Sequence, residues 1–219
     1  MMIILLFMLA MGYAIGLVNA SWIIHRVVRS SDLGKQGSGN LGARNLYDVT
    51  GNVWLAVLAA LFDIVKGAGA VLLAASIHPA WYAAMACAGV GVVLGHNYNV
   101  LLKWKGGRGL ATAAGALFVI SPPFVITWLV MYGIGYGVVR KNIHVASMVA
   151  TIATAVLALS VPAPVITTVT ILPTLVDSQV RWTIVALAFP IFLRFIEPVR
   201  EFIMRETVEE QNAEEQGDQ

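Results

Sequence analysis

The chain has 219 residues, of which 58% are hydrophobic and only 12% charged, and its mean hydropathy is +0.79. Soluble domains carry about 45–50% apolar and about 25% charged residues, so this composition excludes a water-soluble globular fold and indicates an integral membrane protein. The net charge is +2, but six of the 12 acidic residues lie in residues 206–219, which leaves 14 bases against six acids in residues 1–205. We therefore expect partners that are anionic, namely membrane lipids or phosphate-bearing substrates, and no nucleic acid.

Apolar segments separated by helix breakers predict an all-α, polytopic membrane protein with about seven transmembrane helices, some of them short. The segments lie near residues 2–24, 53–77, 80–102, 109–121, 124–138 and 145–161, and one more ends near Phe195. Pro122 and Pro123 divide residues 109–138 into two crossings, because one long helix would carry both prolines in its interior. Residues 1–205 are expected to form a single membrane domain. The acidic residues 206–219 contain almost no apolar side chains and are expected to be disordered.

Basic residues cluster in four regions that share one side of the membrane if the chain crosses seven times. These residues are Arg26, Arg29, Lys35, Arg44, Lys103, Lys105, Arg108, Arg140, Lys141, Arg194, Arg200 and Arg205. The positive-inside rule places these regions and the C-terminus in the cytoplasm, with the N-terminus outside the cell (plasma) membrane. Residues 162–193 can be divided in more than one way, because Pro162, Pro164 and Pro173 interrupt the apolar run.

The first loop is rich in small residues and in side chains that form hydrogen bonds. It contains Gly37, Ser38, Gly39, Asn40, Arg44 and Asn45. Such a loop can present backbone N–H groups to an anion. The loop fits the G-x-G-x-x-G pattern of dinucleotide-binding proteins, but that pattern requires a preceding strand, whereas membrane helices flank this loop. Taken alone, a polar glycine-rich loop is more often only a turn.

The third loop combines cations with glycines and leads directly into an apolar helix. It contains Lys105, Gly106, Gly107, Arg108 and Gly109, and Thr112 follows in the helix. A helix start offers unpaired N–H groups and a partial positive charge, so a phosphate can bind there under the two cations. The alternative interpretation is a positive charge cluster that only sets membrane topology.

Four histidines occur in the chain, and His96 is the candidate for an active-site role. It lies among polar residues at the end of the third apolar segment, just before the third loop, which makes an active-site role more plausible for it than for His25, His78 or His144. None of the four has the spacing of metal ligands, so we predict neither a metal nor a cofactor.

Asp63 and Lys66 lie three residues apart inside the second apolar segment and share one helical face. Charges at that depth are costly, so the two should pair or face a polar cavity. Lys66 either fixes helix packing or reaches a bound phosphate, and the spacing alone does not choose. Ser147 lies near the start of a later helix, where spacing alone suggests only a small residue in helix packing.

In order and spacing, these motifs resemble the acyl-phosphate:glycerol-3-phosphate acyltransferases of bacterial phospholipid synthesis, the PlsY family, from about Gly12 to Ser147. The family's GSGN-x-GATN motif matches residues 37–45 except at Arg44, and its D-x-x-KG motif matches residues 63–67. Its GH motif matches residues 95–96, and its KGGKG-x-AT motif matches residues 105–112 with Arg108 in place of the second lysine. Its short serine motif matches Ser147.

The resemblance implies that the 1-hydroxyl of glycerol 3-phosphate attacks acyl-phosphate and yields lysophosphatidic acid for phospholipid synthesis. It implies catalytic roles for Ser38, Arg44, His96 and Lys105. It implies substrate binding by Gly37, Gly39, Asn40, Asn45, Lys66, Gly106, Gly107, Arg108, Gly109, Thr112 and Ser147.

Two departures from the family pattern leave alternatives open. Arg44 and Asp48 stand where the family has threonine and arginine, and the family's His-Arg-x-Asn-Ile motif is not recognisable in residues 194–200. The arginine that the family has at the position of Asp48 is thus missing or shifted by one helical turn, and Arg44 is a candidate to replace it. A different acceptor and a catalytically silent family member are therefore alternatives. A small transporter for a phosphate-bearing solute is a third, although no internal repeat is visible and the polar motifs gather in loops.

Overall fold

The computed structural model describes residues 1–79, 81–168, 171 and 177–217. All regular structure in these ranges is helical, which confirms the predicted all-α class. The α-helices are α1 Met2–Gly16, α2 Ala20–Arg29, α3 Ala43–Thr50, α4 Val53–Ile77, α5 Tyr82–Asn97, α6 Leu110–Ile120, α7 Pro122–Ile134, α8 Ile143–Ser160, α9 Ala163–Thr168 and α10 Asp177–Gly217. Single 3-10 turns at Leu33–Lys35 and Val100–Leu102 lie in the loops, and a π-helical turn at Gly135–Val139 extends α7.

Within the described residues, six helical segments are long and apolar enough to cross a bilayer. They are Met2–Arg29, Val53–Ile77, Tyr82–Leu102, Pro122–Val139, Ile143–Ser160 and Ser178–Val208. Helix α6 is apolar but has only 11 residues, which span roughly half of a hydrocarbon core of about 30 Å. These segments correspond to the seven that the sequence predicts. The break between α6 and α7 falls at the double proline, where Pro122 occupies the first helical position and its missing N–H costs nothing.

The last helix is longer than the sequence predicts. Helix α10 continues past Phe195 and through the acidic segment to Gly217, whereas the sequence predicts a disordered tail from residue 206. Glu206 forms an ion pair with Arg140, so the start of that segment is anchored. Glutamate, glutamine and alanine favour helices, and a helix that is already formed extends at little cost.

Two pairs of helices approach so closely that only glycine fits at their contacts. A Cβ atom on Gly12 of α1 would overlap the carbonyl oxygen of Ala88 in α5, and one on Gly67 of α4 would overlap that of Thr112 in α6. In a bilayer, close packing of backbones replaces much of the hydrophobic drive for helix association. These contacts hold α4, α5 and α6 in fixed positions below the loops that carry the motifs.

The first loop rests on its own small apolar cluster. Leu33, Leu41 and Leu46 are almost completely buried, and they pack with Ala59 of α4. The backbone N–H of Leu41 donates to the carbonyl of Gly106 over 3.1 Å. The first and third loops therefore meet at one end of the helix bundle.

Candidate functional site

A polar cavity of about 350 Å³ lies where the first loop, the start of α6 and the start of α8 meet, and we call it the inner polar cavity. It brings together six of the predicted site residues: Asn40, Arg44, His96, Arg108, Gly109 and Ser147. Gly109 precedes α6 with a φ of +79°, a backbone conformation that favours glycine. The N-terminus of α6 therefore lies at the cavity, which is the arrangement that suits an anion.

An apolar cavity of about 290 Å³, lined by α6, α7, α8 and α10, adjoins the inner polar cavity. Both cavities are lined by Leu110, Ala111 and Trp128. The indole Nε1 of Trp128 donates to Thr151 Oγ1 over 3.1 Å, which fixes the ring at the junction. The combined space has one polar and one apolar end, so it suits a ligand with an anionic head and a hydrocarbon tail.

A buried charged cluster links α4 to α5 beside the inner polar cavity. Lys66 Nζ lies 2.7 Å from Asp63 Oδ1, 2.9 Å from His96 Nδ1 and 2.8 Å from the carbonyl of Val18. An ammonium group has three N–H donors, and three neighbouring atoms surround it within 2.9 Å, two of them in hydrogen bonds and one in an ion pair. Lys66 is also outside the cavity lining. The geometry therefore favours the structural ion pair over direct phosphate binding by Lys66. Because His96 accepts at Nδ1, its ring proton lies on Nε2.

Asn45 shapes the first loop from inside. Its Oδ1 accepts from the N–H of Ser38 over 2.9 Å, and its Nδ2 donates to the carbonyls of Gln36 and Asn40 over 3.1 and 2.8 Å. Gly37 has a φ of +56°, and a Cβ atom there would overlap Asn45 Oδ1. Asn45 is buried, so in this structure it positions the loop and does not face a ligand.

The glycine loop, residues 106–109, is held from two sides. The guanidinium of Arg194 in α10 donates to the carbonyls of Gly106 and Gly107 over 2.9 and 3.2 Å. The N–H of Gly107 donates to the carbonyl of His96 over 3.1 Å. Gly107 packs directly on the His96 ring, which a Cβ atom would overlap. Helices α5 and α10 therefore fix the loop that carries Arg108.

Besides Lys66, Asn45, Gly37, Gly106 and Gly107, the predicted site residues Lys105 and Thr112 also lie outside the linings of the cavities. Lys105 is exposed, and its Nζ lies 3.5 Å from the carbonyl of Gly34 at the outer edge of the loops. Thr112 is fully buried in α6, where its carbonyl packs against Gly67 of α4. The sequence groups both with Arg108 because they share its motif, but of these three residues only Arg108 lines the inner polar cavity.

The cations of the inner polar cavity are both engaged by neighbours. Arg44 forms an exposed ion pair with Asp48 in the next helical turn, with Nε 2.9 and 3.1 Å from the two carboxylate oxygens. Arg108 Nη1 lies 2.9 Å from Nδ1 of His144. Burial, and then the nearby charge of Arg194, lowers the pKa of Arg108 from 12.5 to about 10, so it stays cationic at neutral pH.

Sequence reasoning missed three residues of this region. His144 and Phe195 line the inner polar cavity, and Arg194 holds the glycine loop. A cation inside the apolar residues 184–196 is costly unless it is paired, and that signal could have identified Arg194. His144 contacts Arg108 across 36 residues of sequence, which local spacing does not reveal.

Comparison with known proteins relates the whole membrane region to one family. The family model described as glycerol-3-phosphate acyltransferase matches residues 6–203. A protein of that name from Syntrophotalea carbinolica is 40% identical over 119 residues, which is 54% of this chain and 60% of that protein. The protein of the same name from Zymomonas mobilis is 37% identical over 164 residues, which is 70% of this chain and 74% of that protein. The chain thus spans less than two thirds of the length of several of these relatives.

Solved structures show the same fold. The crystal structure of PlsY, an integral membrane glycerol 3-phosphate acyltransferase, in its glycerol 3-phosphate form has a TM-score of 0.74 at 25% identity, and the match covers 91% of this chain and 92% of that one. The lysophosphatidic acid form gives a TM-score of 0.71 at 24% identity with the same coverage.

Proposed function

Because the chain belongs to the glycerol-3-phosphate acyltransferase family, we propose that it transfers a fatty acyl group from acyl-phosphate to glycerol 3-phosphate. The observation that carries this proposal is the junction of the inner polar cavity with the apolar cavity at Leu110, Ala111 and Trp128. Acyl-phosphate has an anionic head directly attached to a hydrocarbon tail. With the tail in the apolar cavity and the phosphate in the polar one, the reacting carbonyl lies at the junction.

The reaction forms one ester bond and breaks one mixed-anhydride bond. The 1-hydroxyl oxygen of glycerol 3-phosphate attacks the acyl carbon, the bond from that carbon to the phosphate oxygen breaks, and the hydroxyl proton leaves with inorganic phosphate. The product is 1-acyl-glycerol 3-phosphate, or lysophosphatidic acid. The donor is already activated, so positioning and charge stabilisation are the main tasks of the protein, with no covalent enzyme intermediate.

The residues of the inner polar cavity suit these tasks. The backbone amides at the start of α6 bind the phosphate of the donor, and Arg108, which also lines this cavity, neutralises the phosphate of the acceptor. Arg44 adds a second cation to the lining of this cavity, which also includes Asn40. His96, held by Lys66 with its proton on Nε2, donates a hydrogen bond to the reacting groups. Ser38 lies outside the lining of this cavity, in the loop that Asn45 shapes, and its catalytic role rests on the family resemblance.

We also propose that the reaction takes place at the cytoplasmic face of the plasma membrane. The first and third loops meet at one end of the bundle, together with the start of α8 and the basic part of α10, which contains Arg194, Arg200 and Arg205. These are the regions rich in lysine and arginine, which cytoplasmic loops favour. This topology leaves the N-terminus of α1 on the outer side.

The test is product formation by the purified protein in detergent micelles. Palmitoyl-phosphate and radiolabelled glycerol 3-phosphate should give labelled lysophosphatidic acid, whereas palmitoyl-CoA should give none. Glycerol and other phosphate-bearing alcohols, tested as alternative acceptors, should react poorly. Product from palmitoyl-CoA alone would overturn the donor assignment. Absence of product from folded protein, together with uptake of labelled glycerol 3-phosphate by proteoliposomes, would overturn the enzyme proposal in favour of transport.

A further inference from the structure

A second polar cavity, of about 590 Å³, adjoins the inner one and is lined by the first loop, the start of α8 and the basic part of α10. We call it the outer polar cavity. Three residues line both polar cavities: Asn40, Arg108 and His144. These side chains therefore form a wall that the two cavities share, and two of them belong to motifs that the sequence already assigns. His144 does not.

His144 and Arg108 are in direct contact in this wall. Arg108 Nη1 lies 2.9 Å from His144 Nδ1. A guanidinium has only donors, so Nδ1 accepts and the ring proton of His144 lies on Nε2. The ring of Phe195 packs on both partners, with its centroid 5.2 Å from the guanidinium carbon and 6.2 Å from the imidazole centroid. The orientation of Arg108 is thus set by a ring acceptor and an aromatic face.

The backbone of His144 is fixed by the start of α8. Asn142 caps the helix, and its Oδ1 accepts from the N–H groups of His144 and Val145 over 2.8 and 3.2 Å. Ser147, one turn later on the same helix, lines the inner polar cavity. The imidazole is therefore presented to the wall by a rigid helical turn and not by a flexible loop.

The outer polar cavity has the character of an entrance for a water-soluble anion. Arg194 and Arg205 line it in addition to Arg108, and so do Glu197 and Glu201, which lie on the same helix as Arg194 and Arg205. Unlike the inner cavity, it shares no lining residue with the apolar cavity. A phosphate-bearing alcohol that enters from water must bring its hydroxyl to the inner cavity while its phosphate stays among cations. The shared wall is the place where both conditions are met.

We propose that His144 is an acceptor-binding residue of the enzyme: it holds Arg108 through Nδ1 and donates from Nε2 to the phosphate of glycerol 3-phosphate. The inference rests on the proposed function, and it adds a residue that the family motifs do not assign. Arg108 and His144 together present two donors to one phosphate, so loss of His144 weakens binding both directly and through a misoriented Arg108.

The test compares His144→Ala with His144→Asn in steady-state kinetics. The amide oxygen of asparagine takes the place of Nδ1 as an acceptor for Arg108, but asparagine has no donor where Nε2 lies. We expect His144→Ala to raise the KM for glycerol 3-phosphate about tenfold or more, which corresponds to the loss of one charge-assisted hydrogen bond. The KM for acyl-phosphate should change less than about twofold, and His144→Asn should recover part of the loss.

Two controls separate this role from a structural one. His78→Asn changes a histidine at the C-terminal end of α4, outside the linings of the cavities, and should leave both KM values unchanged. In an Arg108→Ala background, His144→Ala should have a smaller effect than in the wild type, because part of its action passes through Arg108. An unchanged KM for glycerol 3-phosphate in His144→Ala, or an equal rise in both KM values with a lower melting temperature, would overturn the proposal.

Calorimetric titration of glycerol 3-phosphate keeps the inference distinct from the proposed function. If the wild-type protein makes no product but binds glycerol 3-phosphate, and His144→Ala binds it about tenfold more weakly, the assignment of His144 stands and the proposed reaction fails. If the wild type is active and His144→Ala binds equally well, the assignment of His144 fails and the proposed reaction stands. Absence of binding to the wild type refutes both.

Discussion

Arg194 is the side chain through which α10 holds the glycine loop, so its replacement should loosen the site without removing any group that lines the inner polar cavity. Its guanidinium donates to the carbonyls of Gly106 and Gly107 over 2.9 and 3.2 Å and stacks on Tyr98, 5.7 Å from the ring centroid. Arg194→Ala removes all three contacts at once. The neighbouring Arg108 then loses the constraint on its own backbone.

The size of the effect follows from what remains after the change. A hydrogen bond from a charged donor contributes about 1.5–3 kcal/mol, but Arg194 is only half-buried and the carbonyl of Gly106 keeps its bond from the N–H of Leu41. We therefore expect Arg194→Ala to lower the free energy of unfolding by about 2 kcal/mol. A displacement of Arg108 by about 1 Å should lower kcat/KM about 100-fold. Arg194→Lys keeps the charge but cannot span both carbonyls, so its stability and its kcat/KM should fall between those of the wild type and those of Arg194→Ala.

The assay is lysophosphatidic acid formation at several concentrations of both substrates, with thermal unfolding measured in the same detergent. Arg181→Ala is the matched control. Arg181 also lies on α10, about 20 Å along the helix from Arg194, and it also donates to backbone carbonyls, those of Ala158 and Leu159. It should lower stability while kcat/KM stays near the wild-type value. Equal losses of activity in both variants, or a fully active Arg194→Ala, would refute the reasoning.

Three further changes test other contacts of the site. Asp63→Asn leaves the ammonium of Lys66 buried without a carboxylate, so it should lower the free energy of unfolding by about 3–5 kcal/mol in a melting experiment, and the double variant with Lys66→Met should recover much of this loss. Asn45→Ala removes three hydrogen bonds from the first loop and should lower kcat/KM at least tenfold, with increased proteolysis in that loop as the independent readout. Lys105→Ala should reduce activity, because the resemblance assigns it a catalytic role, but Arg108→Ala should reduce it more, since only Arg108 lines the cavity; the reverse order in parallel assays would contradict the geometry.

Much of the fold can be predicted from the sequence, because a helix that crosses the membrane requires a run of about 20 apolar residues, which is visible in the sequence. The double proline also marks the boundary between α6 and α7 correctly, since proline is tolerated at the first position of a helix and not in its middle. The end of α10 is less predictable. Residues 206–217 have a composition that fits both a disordered tail and a solvated helix, and the choice depends on the helix that precedes them.

The site is predictable where a motif is local and unpredictable where contacts are long-range. Spacing identifies the first loop and the glycine loop, but it does not show that Asn45 faces inward or that Lys105 faces outward. The contact of Arg108 with His144 and those of Arg194 with the glycine loop join residues that lie 36 and 87–88 positions apart. No periodicity in one sequence encodes such pairs, because they depend on how whole helices pack.

Arg44 and Asp48 stand where the family has threonine and arginine, and this difference leads to a final prediction about the inner polar cavity. Both side chains are largely exposed, so their ion pair contributes little to stability, and a substrate phosphate can displace the carboxylate from Arg44 at small cost. Asp48→Asn should therefore raise kcat/KM, by no more than about fivefold, because it removes the competing anion. Arg44→Thr removes the cation and should lower kcat/KM about tenfold, mainly through a higher KM. A tenfold loss in Asp48→Asn would mean that the carboxylate itself takes part in binding, and would point to an acceptor that carries a hydrogen-bond donor at that position.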